Sequence, residues 1–345
     1  VTTLGTFVRV LKEAPLDERT SDELPRLAGT VDQGWETLAN AYADVLGMHE
    51  NTDVQRAIGK RLAKTFEDEL ADVQKAEETY KYVLSVDPLD VDALTNLDRI
   101  YLSLEQWPDL AQTLEQRVKA PAEAHELVDL WARLGEIYET KLIRIPDAIR
   151  AYRKIFDELD KTHEGAIAAL GRIYELQGAW VELNTVYERE LENASGDVAE
   201  AEIRAKLAHL AAEKLADPTR AIDTWKVVLD LRGEDPEALR ALANLYEGQQ
   251  QWRDLVEILE REFEIAPGDD DRVNILTRRA RVFTDKLSKD ELALEDWNRV
   301  LDIDYANLAA LRSIAAIRRR QQDANELVSA LHQIVDRAAQ LLDEE

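Results

Sequence analysis

Histidine and carboxylate side chains are the residues of this chain that could do acid–base or metal chemistry. The five histidines are His49, His125, His163, His209 and His332. No two of them stand four residues apart and no HExxH pattern occurs, so the paired histidines of a zinc hydrolase are missing. Carboxylates number 70, and pairs at catalytic spacing therefore arise by chance. The absence of cysteine removes thiolate zinc sites, disulfides and a cysteine nucleophile. We assign no catalytic residue, metal site or cofactor, and we predict that the protein is not an enzyme.

One acidic stretch, DPLDVDALTNLD at residues 87–98, carries enough oxygen ligands to suggest a calcium loop. It lacks the glycine that such a loop needs for its sharp turn. We interpret its aspartates as helix caps and turn residues instead.

The net charge of −27 argues against binding DNA or RNA through the phosphates. No apolar run approaches 18 residues, so we predict no membrane insertion. The first residues, VTTLGTFVRV, lack the basic start and long apolar core of a secretion signal. A cytoplasmic location is expected, and the periplasm stays open. Arginine outnumbers lysine about two to one, a bias associated with GC-rich bacterial genomes.

The elements that carry these residues repeat with a period of 72 to 73 residues. The pattern Trp, two residues, Leu recurs along the chain, and its first position is occupied by Trp35, Trp107, Trp180, Trp252 and Ala324. A second aromatic column consists of Phe7, Tyr80, Tyr152, Trp225 and Trp297, and a third column of Leu70, Leu142, Leu215 and Leu287. Such periods indicate a stacked repeat architecture. We expect Trp180 and Trp252 to be largely buried between repeats.

Each repeat is predicted to be helical, because its apolar residues recur at three and four positions, as in Trp131, Leu134 and Tyr138. Prolines such as Pro88 and Pro218 stand where helices end or begin. Each unit therefore holds four helices in two hairpins. The predicted units of one continuous array are approximately residues 1–50, 51–122, 123–196, 197–268 and 269–345.

Residues 131–152, WARLGEIYETKLIRIPDAIRAY, resemble the tetratricopeptide repeat (TPR). The matching residues are Trp131, Leu134, Gly135, Tyr138, Ala148 and Tyr152, and in the next hairpin Leu170, Gly171, Tyr174, Gly178 and Tyr187. The resemblance implies an all-α, right-handed superhelical solenoid of about nine stacked antiparallel hairpins. The long hairpins depart from the family by one extra residue in the turn, and Arg279 stands where the family has leucine.

The start of the chain aligns with the second helix of a hairpin. FVRVLKEAP at residues 7–15 matches YKYVLSVDP at residues 80–88, proline on proline. We therefore expect a leading half-hairpin and a fragment of a longer array.

The TPR resemblance implies that first helices line a concave groove. Sixteen positions are expected to face it, and seven of them are Lys or Arg, whereas 43 basic residues in 345 predict about two. The candidate partner-binding residues are Lys60, Lys64, Arg99, Arg172, His209, Arg240, Asn244, Arg281 and Arg312. Arginine donors suit the carboxylates of an acidic partner segment. The same side chains could instead only neutralise nearby carboxylates.

Three functions remain open from the sequence. The first is a non-catalytic scaffold that binds a partner protein or peptide in its groove. The second is an acidic convex face that recruits a basic partner, and the third is a regulatory repeat region of a larger enzyme. The sequence does not determine the oligomeric state.

Overall fold

The computed structural model describes the backbone of residues 3–343 and the side chains of residues 3–336, and all regular structure in this part is helical. The helices of the first half are α1 (Thr3–Glu13), α2 (Glu18–Ala28), α3 (Gly34–Met48), α4 (Thr52–Lys64), α5 (Val73–Val86), α6 (Val91–Ser103), α7 (Trp107–Arg117), α8 (Ala124–Glu136), α9 (Ile145–Lys154) and α10 (Glu164–Gln177). Those of the second half are α11 (Trp180–Asn193), α12 (Asp197–Glu213), α13 (Pro218–Arg232), α14 (Pro236–Gly248), α15 (Trp252–Ile265), α16 (Asp269–Asp285), α17 (Asp290–Ile303), α18 (Leu308–Gln321) and α19 (Ala324–Asp343). Short π-helical turns extend three of them, at Thr65–Glu69, Ile137–Lys141 and Ile155–Leu159.

The helix order confirms the predicted TPR-like arrangement of hairpins. A single helix, α1, precedes nine consecutive pairs, from α2–α3 to α18–α19, within residues 3–343. The chain forms two compact units, Val1–Leu176 and Gln177–Glu345. The single continuous array, its unit boundaries and its right-handed sense stay predictions.

The extra residue of the long hairpins is absorbed at the end of the first helix. Each leucine of the third column donates its backbone N–H to the carbonyl oxygen five residues earlier, with N to O distances of 3.0 to 3.1 Å. These leucines are Leu70, Leu142, Leu215 and Leu287. An α-helix would use the carbonyl four residues earlier, so one residue is inserted as a π-type turn. The residues that follow, Ala71, Ile143, Ala216 and Ser288, then take positive φ angles and end the helix.

The alanine and aromatic columns of the second helices form the core. Ala76, Ala148, Ala221 and Ala293 are fully buried, and Tyr80, Tyr152, Trp225 and Trp297 are at most 7% exposed. A Cβ atom added at Gly135 would lie 2.7 Å from the Tyr152 ring, so the glycine is required where the two helices of this hairpin cross. The predicted close crossing and the aromatic filling of the hairpins are confirmed.

Trp180 and Trp252 were predicted to be largely buried, and both are more buried than exposed, with Trp252 packed against the core of the second unit. Both are only partly buried, as are Trp35 and Trp107, because each indole lies at or next to the first residue of its helix and faces the hairpin edge. Lysine ammonium groups lie over three of these rings, with Nζ to centroid distances of 4.8 Å for Lys141 on Trp107, 5.2 Å for Lys214 on Trp180 and 5.1 Å for Lys286 on Trp252. These contacts are cation–π interactions.

Candidate functional site

All nine predicted groove residues lie on first helices. Lys60 and His209 are partly exposed, and the other seven are exposed. They occupy α4, α6, α10, α12, α14, α16 and α18. We call their common surface the first-helix face, and we describe it separately for the two units.

In the first unit, this face is crossed by ion pairs between successive first helices. Arg172 Nη2 lies 2.6 Å from Glu139 Oε1, and Lys60 Nζ lies 2.6 Å from Asp92 Oδ2. Arg99 contacts Glu67 in the same way. Three of the predicted groove cations are therefore already neutralised by carboxylates 32 to 33 residues away along the chain. Ion pairs this exposed each contribute at most about 1 kcal/mol.

Lys60 also contacts Asp90, the residue that caps α6. Asp90 accepts a hydrogen bond from the Ala93 N–H at 3.0 Å, and its Oδ2 lies 2.9 Å from Arg56 Nη2 and 3.2 Å from Lys60 Nζ. The interpretation of the 87–98 stretch as a cap and turn is confirmed. Burial alone would raise the pKa of Asp90, but the Ala93 N–H, Arg56 and Lys60 outweigh it and hold the pKa below its usual range.

In the second unit, the same type of link joins α14 to α16. Arg278 donates from Nε to Glu247 at 3.0 Å and from Nη2 to the Asn244 side-chain oxygen at 3.1 Å. The His209 ring lies 3.0 Å from Glu237 on α14. Arg278 was missed from the sequence, because the expected groove position on α16 was its neighbour Thr277.

Three predicted cations have no ion-pair partner among residues 3–336. They are Lys64 on α4, Arg281 on α16 and Arg312 on α18. Arg319, which the sequence analysis missed, is exposed and equally unpaired within that range. The signal for Arg319 was its position seven residues after Arg312, on the same face of α18. Arg281, Arg312 and Arg319 thus lie on two consecutive first helices of the second unit.

A cavity of about 530 Å³ opens between α14, α15 and α16. Its apolar wall includes Leu259, Ile265, Ala266 and Ile275, and its polar lining includes Arg240, Glu262, Asn274 and Arg278. A second hollow of about 520 Å³ adjoins it, shares Pro236 and Arg240 with it, and is also lined by His209 and Asn244. Three predicted groove residues, His209, Arg240 and Asn244, therefore surround one hollow. Asn274 and Glu262 were not predicted.

Glu262 sits between two guanidinium groups in this cavity. Its Oε1 lies 3.5 Å from Arg240 Nε, and its side chain is 13% exposed, against 63% for Arg240. Burial raises the pKa of Glu262, although the charges of Arg278 and Arg240 pull it down. The carboxylate is thus poorly solvated and held by arginines.

Two further histidines have structural contacts. His163 Nδ1 accepts a hydrogen bond from the Ala166 N–H at 3.0 Å at the start of α10, and His49 Nε2 lies 3.1 Å from the Lys12 carbonyl oxygen. In the part of the chain that is described, no group of three His, Cys, Asp or Glu residues could hold a metal ion. No helix there is long and apolar enough to cross a membrane.

Comparisons with known proteins agree with this arrangement of helices. The family model of the tetratricopeptide repeat matches residues 166–201 and 238–273, which include α10–α11 and α14–α15. No curated protein matches the sequence.

Several solved structures are similar to parts of the chain. MamA is 16% identical with a TM-score of 0.36, and the alignment covers 50% of this chain and 97% of MamA. The C-terminal part of a TPR repeat-containing protein from Cytophaga hutchinsonii is 16% identical with a TM-score of 0.39, and the coverage is 74% and 98%. YrrB, a TPR protein with an unusual peptide-binding site, is 16% identical with a TM-score of 0.35, and the coverage is 56% and 97%.

The two matched segments lie within the series of consecutive helix pairs. Repeats of this kind generally mediate interactions with proteins or peptides and are typically non-catalytic. The chain contains tetratricopeptide repeats, which the family model identifies at residues 166–201 and 238–273.

Proposed function

We propose that this protein is a non-catalytic scaffold that binds an acidic segment of a partner protein on the first-helix face of its second unit. The observation that supports this most is the pair of exposed arginines without an ion-pair partner among the described residues, Arg281 on α16 and Arg312 on α18. Most other groove cations are already bound to carboxylates of the chain. Free guanidinium groups can form charge-assisted, bidentate hydrogen bonds with incoming carboxylates.

The total charge does not prevent such binding. Charges further away than the Debye length of about 8 to 10 Å are largely screened at physiological salt. The local field at Arg281, Arg312 and Arg319 therefore decides the approach of a ligand more than the net charge of −27 does. Affinity for an acidic segment should fall as salt rises.

The test is charge reversal on each face of the second unit. Arg281→Glu combined with Arg312→Glu should weaken binding of an acidic partner peptide and leave the helical content unchanged, because both side chains are exposed. The matched control is Lys226→Glu with Arg253→Glu, two exposed cations on the second helices α13 and α15. Equal loss in both double variants, or loss only in the control, would contradict the proposal.

Loss only in the control would mean that the acidic peptide binds the second helices. The alternative, an acidic face that recruits a basic partner, predicts instead that a basic peptide binds and that the control variant strengthens its binding. A role as the regulatory repeat region of a larger enzyme and a cytoplasmic location stay predictions. The experiment above does not depend on either.

A further inference from the structure

The cavity between α14, α15 and α16 combines an apolar wall with one exposed arginine. Leu259 is fully buried, and Ala266 and Ile275 are 7% and 9% exposed, so the wall is part of the packed core of the second unit. Its volume of about 530 Å³ lies within the roughly 300 to 1,000 Å³ of ligand-binding clefts. An apolar side chain that enters it would leave water for a preformed apolar surface.

Exposed Arg240 is oriented by the partly buried carboxylate of Glu262. Glu262 approaches Arg240 through Nε at 3.5 Å. Among residues 3–336, the terminal nitrogens Nη1 and Nη2 of Arg240 donate no hydrogen bond. An incoming group therefore meets the open fork of the guanidinium before it reaches Glu262. Two parallel hydrogen bonds from this fork suit a carboxylate.

We infer that this cavity anchors an extended peptide segment in which a large apolar residue stands next to Asp or Glu, with the apolar side chain against Ile265 and Ile275 and the carboxylate on Arg240. The inference rests on the proposed function and specifies the segment that is bound. The adjoining hollow, which shares Arg240, allows the peptide to continue past the anchor. We therefore assign the carboxylate to an acidic side chain within the segment and not to a chain terminus.

A cationic ligand fits this site less well. Glu262 is already flanked by Arg240 and Arg278, so a lysine or arginine from a partner would have to displace one of them. Arg278 is in turn fixed by Glu247 and Asn244. Glu262 thus has a cationic partner, whereas the fork of Arg240 is open. Exposed Asp271, which also lines the cavity, has no ion-pair partner among residues 3–336, so it is the lining carboxylate that a cationic ligand would have to use.

The experiment begins with a displayed library of random twelve-residue peptides that is selected on the whole chain. Enriched peptides are synthesised with a fluorophore and an amidated C-terminus, and their binding is measured by anisotropy. We expect a shared pair of a large apolar residue and Asp or Glu. Replacing the apolar residue by Ala should weaken binding about tenfold or more.

Variants of the chain test the position of each half of the pair. Asn274 is exposed on the cavity rim, so Asn274→Trp fills the opening and should weaken binding about tenfold, whereas the control Asn274→Ala should not. Changing the peptide Asp to Asn should weaken binding about tenfold to the parent chain and have little effect on Arg240→Gln. Circular dichroism verifies that each variant keeps its helical content.

The outcomes separate this inference from the proposed function. No enriched peptide would overturn both. Acidic peptides that respond to Arg281→Glu with Arg312→Glu but not to Asn274→Trp or Arg240→Gln would overturn the inference and leave the proposed function standing. Binding that requires a free C-terminal carboxylate would also overturn it.

Discussion

Arg279 and Asp296 form a buried ion pair at positions that are uncharged in the other long hairpins. The equivalents of Arg279 at the repeat spacing are Leu62, Leu134 and Leu207, and those of Asp296 are Thr79, Ala151 and Thr224. Arg279 is 7% exposed and Asp296 is 2% exposed, and Arg279 Nε donates to Asp296 Oδ2 at 2.7 Å. The two departures occur together, so we interpret them as one compensated exchange.

Restoring the repeat pattern therefore tests whether the two changes are coupled. Asp296→Thr leaves Arg279 buried, with only the half-exposed Glu260 as a counter-charge. The expected loss in the free energy of unfolding is about 3 to 5 kcal/mol, the usual cost of breaking a buried pair. Arg279→Leu leaves Asp296 with Arg299 at 3.7 Å, and a loss of about 2 to 4 kcal/mol is expected because this second cation compensates in part.

The double variant should be close to the parent or more stable, because replacing a buried pair by apolar or small residues is often neutral or favourable. The coupling in the double-mutant cycle would then be at least about 5 kcal/mol, far beyond the additivity error of roughly 0.3 to 0.5 kcal/mol. Native-state hydrogen exchange of the α16 and α17 amides is the suitable assay, because repeat arrays open locally. If the double variant lost the sum of the two single losses, the coupled interpretation would be refuted.

Three further predictions concern packing, strain and pH. Trp225 is 1% exposed, so Trp225→Ala should lower the free energy of unfolding by about 3 to 5 kcal/mol. Trp252→Ala should lower it clearly less in the same denaturant titration, because the Trp252 indole is only partly buried. Equal losses would refute the distinction between the two columns. Ile143 is 69% exposed and has a φ angle of 53°, where a β-branched residue is strained and Asn is tolerated. Ile143→Asn should therefore stabilise the chain by about 1 kcal/mol. An unchanged melting temperature would argue against strain. The pKa of Asp90 is lowered in the folded state, so its ionised form stabilises the fold above the ordinary Asp pKa of about 4, and this contribution is lost as pH falls through the folded-state pKa. Asp90→Asn should therefore reduce the loss of unfolding free energy on the acid side of a stability–pH profile. An unchanged acid side would contradict the assignment.

The repeat period made the helices predictable from the sequence. Columns such as Ala148 and Tyr152 recur because the same contact is built in each hairpin, and one sequence then supplies several aligned copies of it. The extra residue was visible in the spacing, but its π-type hydrogen bond was not, because spacing does not show which carbonyl the added residue uses. The sequence did not distinguish the partly buried Trp252 from the fully buried Trp225 for a related reason. Recurrence at the repeat spacing shows that a residue type is required at a position, but it does not show how buried the side chain is. An indole that lies under a lysine recurs as regularly as one in the core.

The first-helix face was predictable in position but not in charge. Residues such as Arg172 and Arg240 are exposed where the resemblance put them. Their partners, Glu139 and Glu262, lie on neighbouring helices. Counting the cations at the groove positions of first helices does not include these carboxylates, because they stand at other positions of the sequence. A chain with 70 acidic and 43 basic residues has a surplus of such carboxylates, so most cations on this face are neutralised.

The surplus of carboxylates makes the unpaired arginines on α16 and α18 informative. If arginines in this protein served only to neutralise carboxylates, Arg281, Arg312 and Arg319 would be expected to have found partners among the acidic residues around them, and in the described part of the chain they have none. A surface ion pair stabilises the fold by a few tenths of a kcal/mol, and an unpaired exposed arginine lacks this contribution. Exposed Arg9 and Arg253 are unpaired in the described part of the chain as well, so the lack of a partner alone does not set these three arginines apart. What sets them apart is their common location on the consecutive first helices α16 and α18, which suits a partner segment that carries more than one carboxylate.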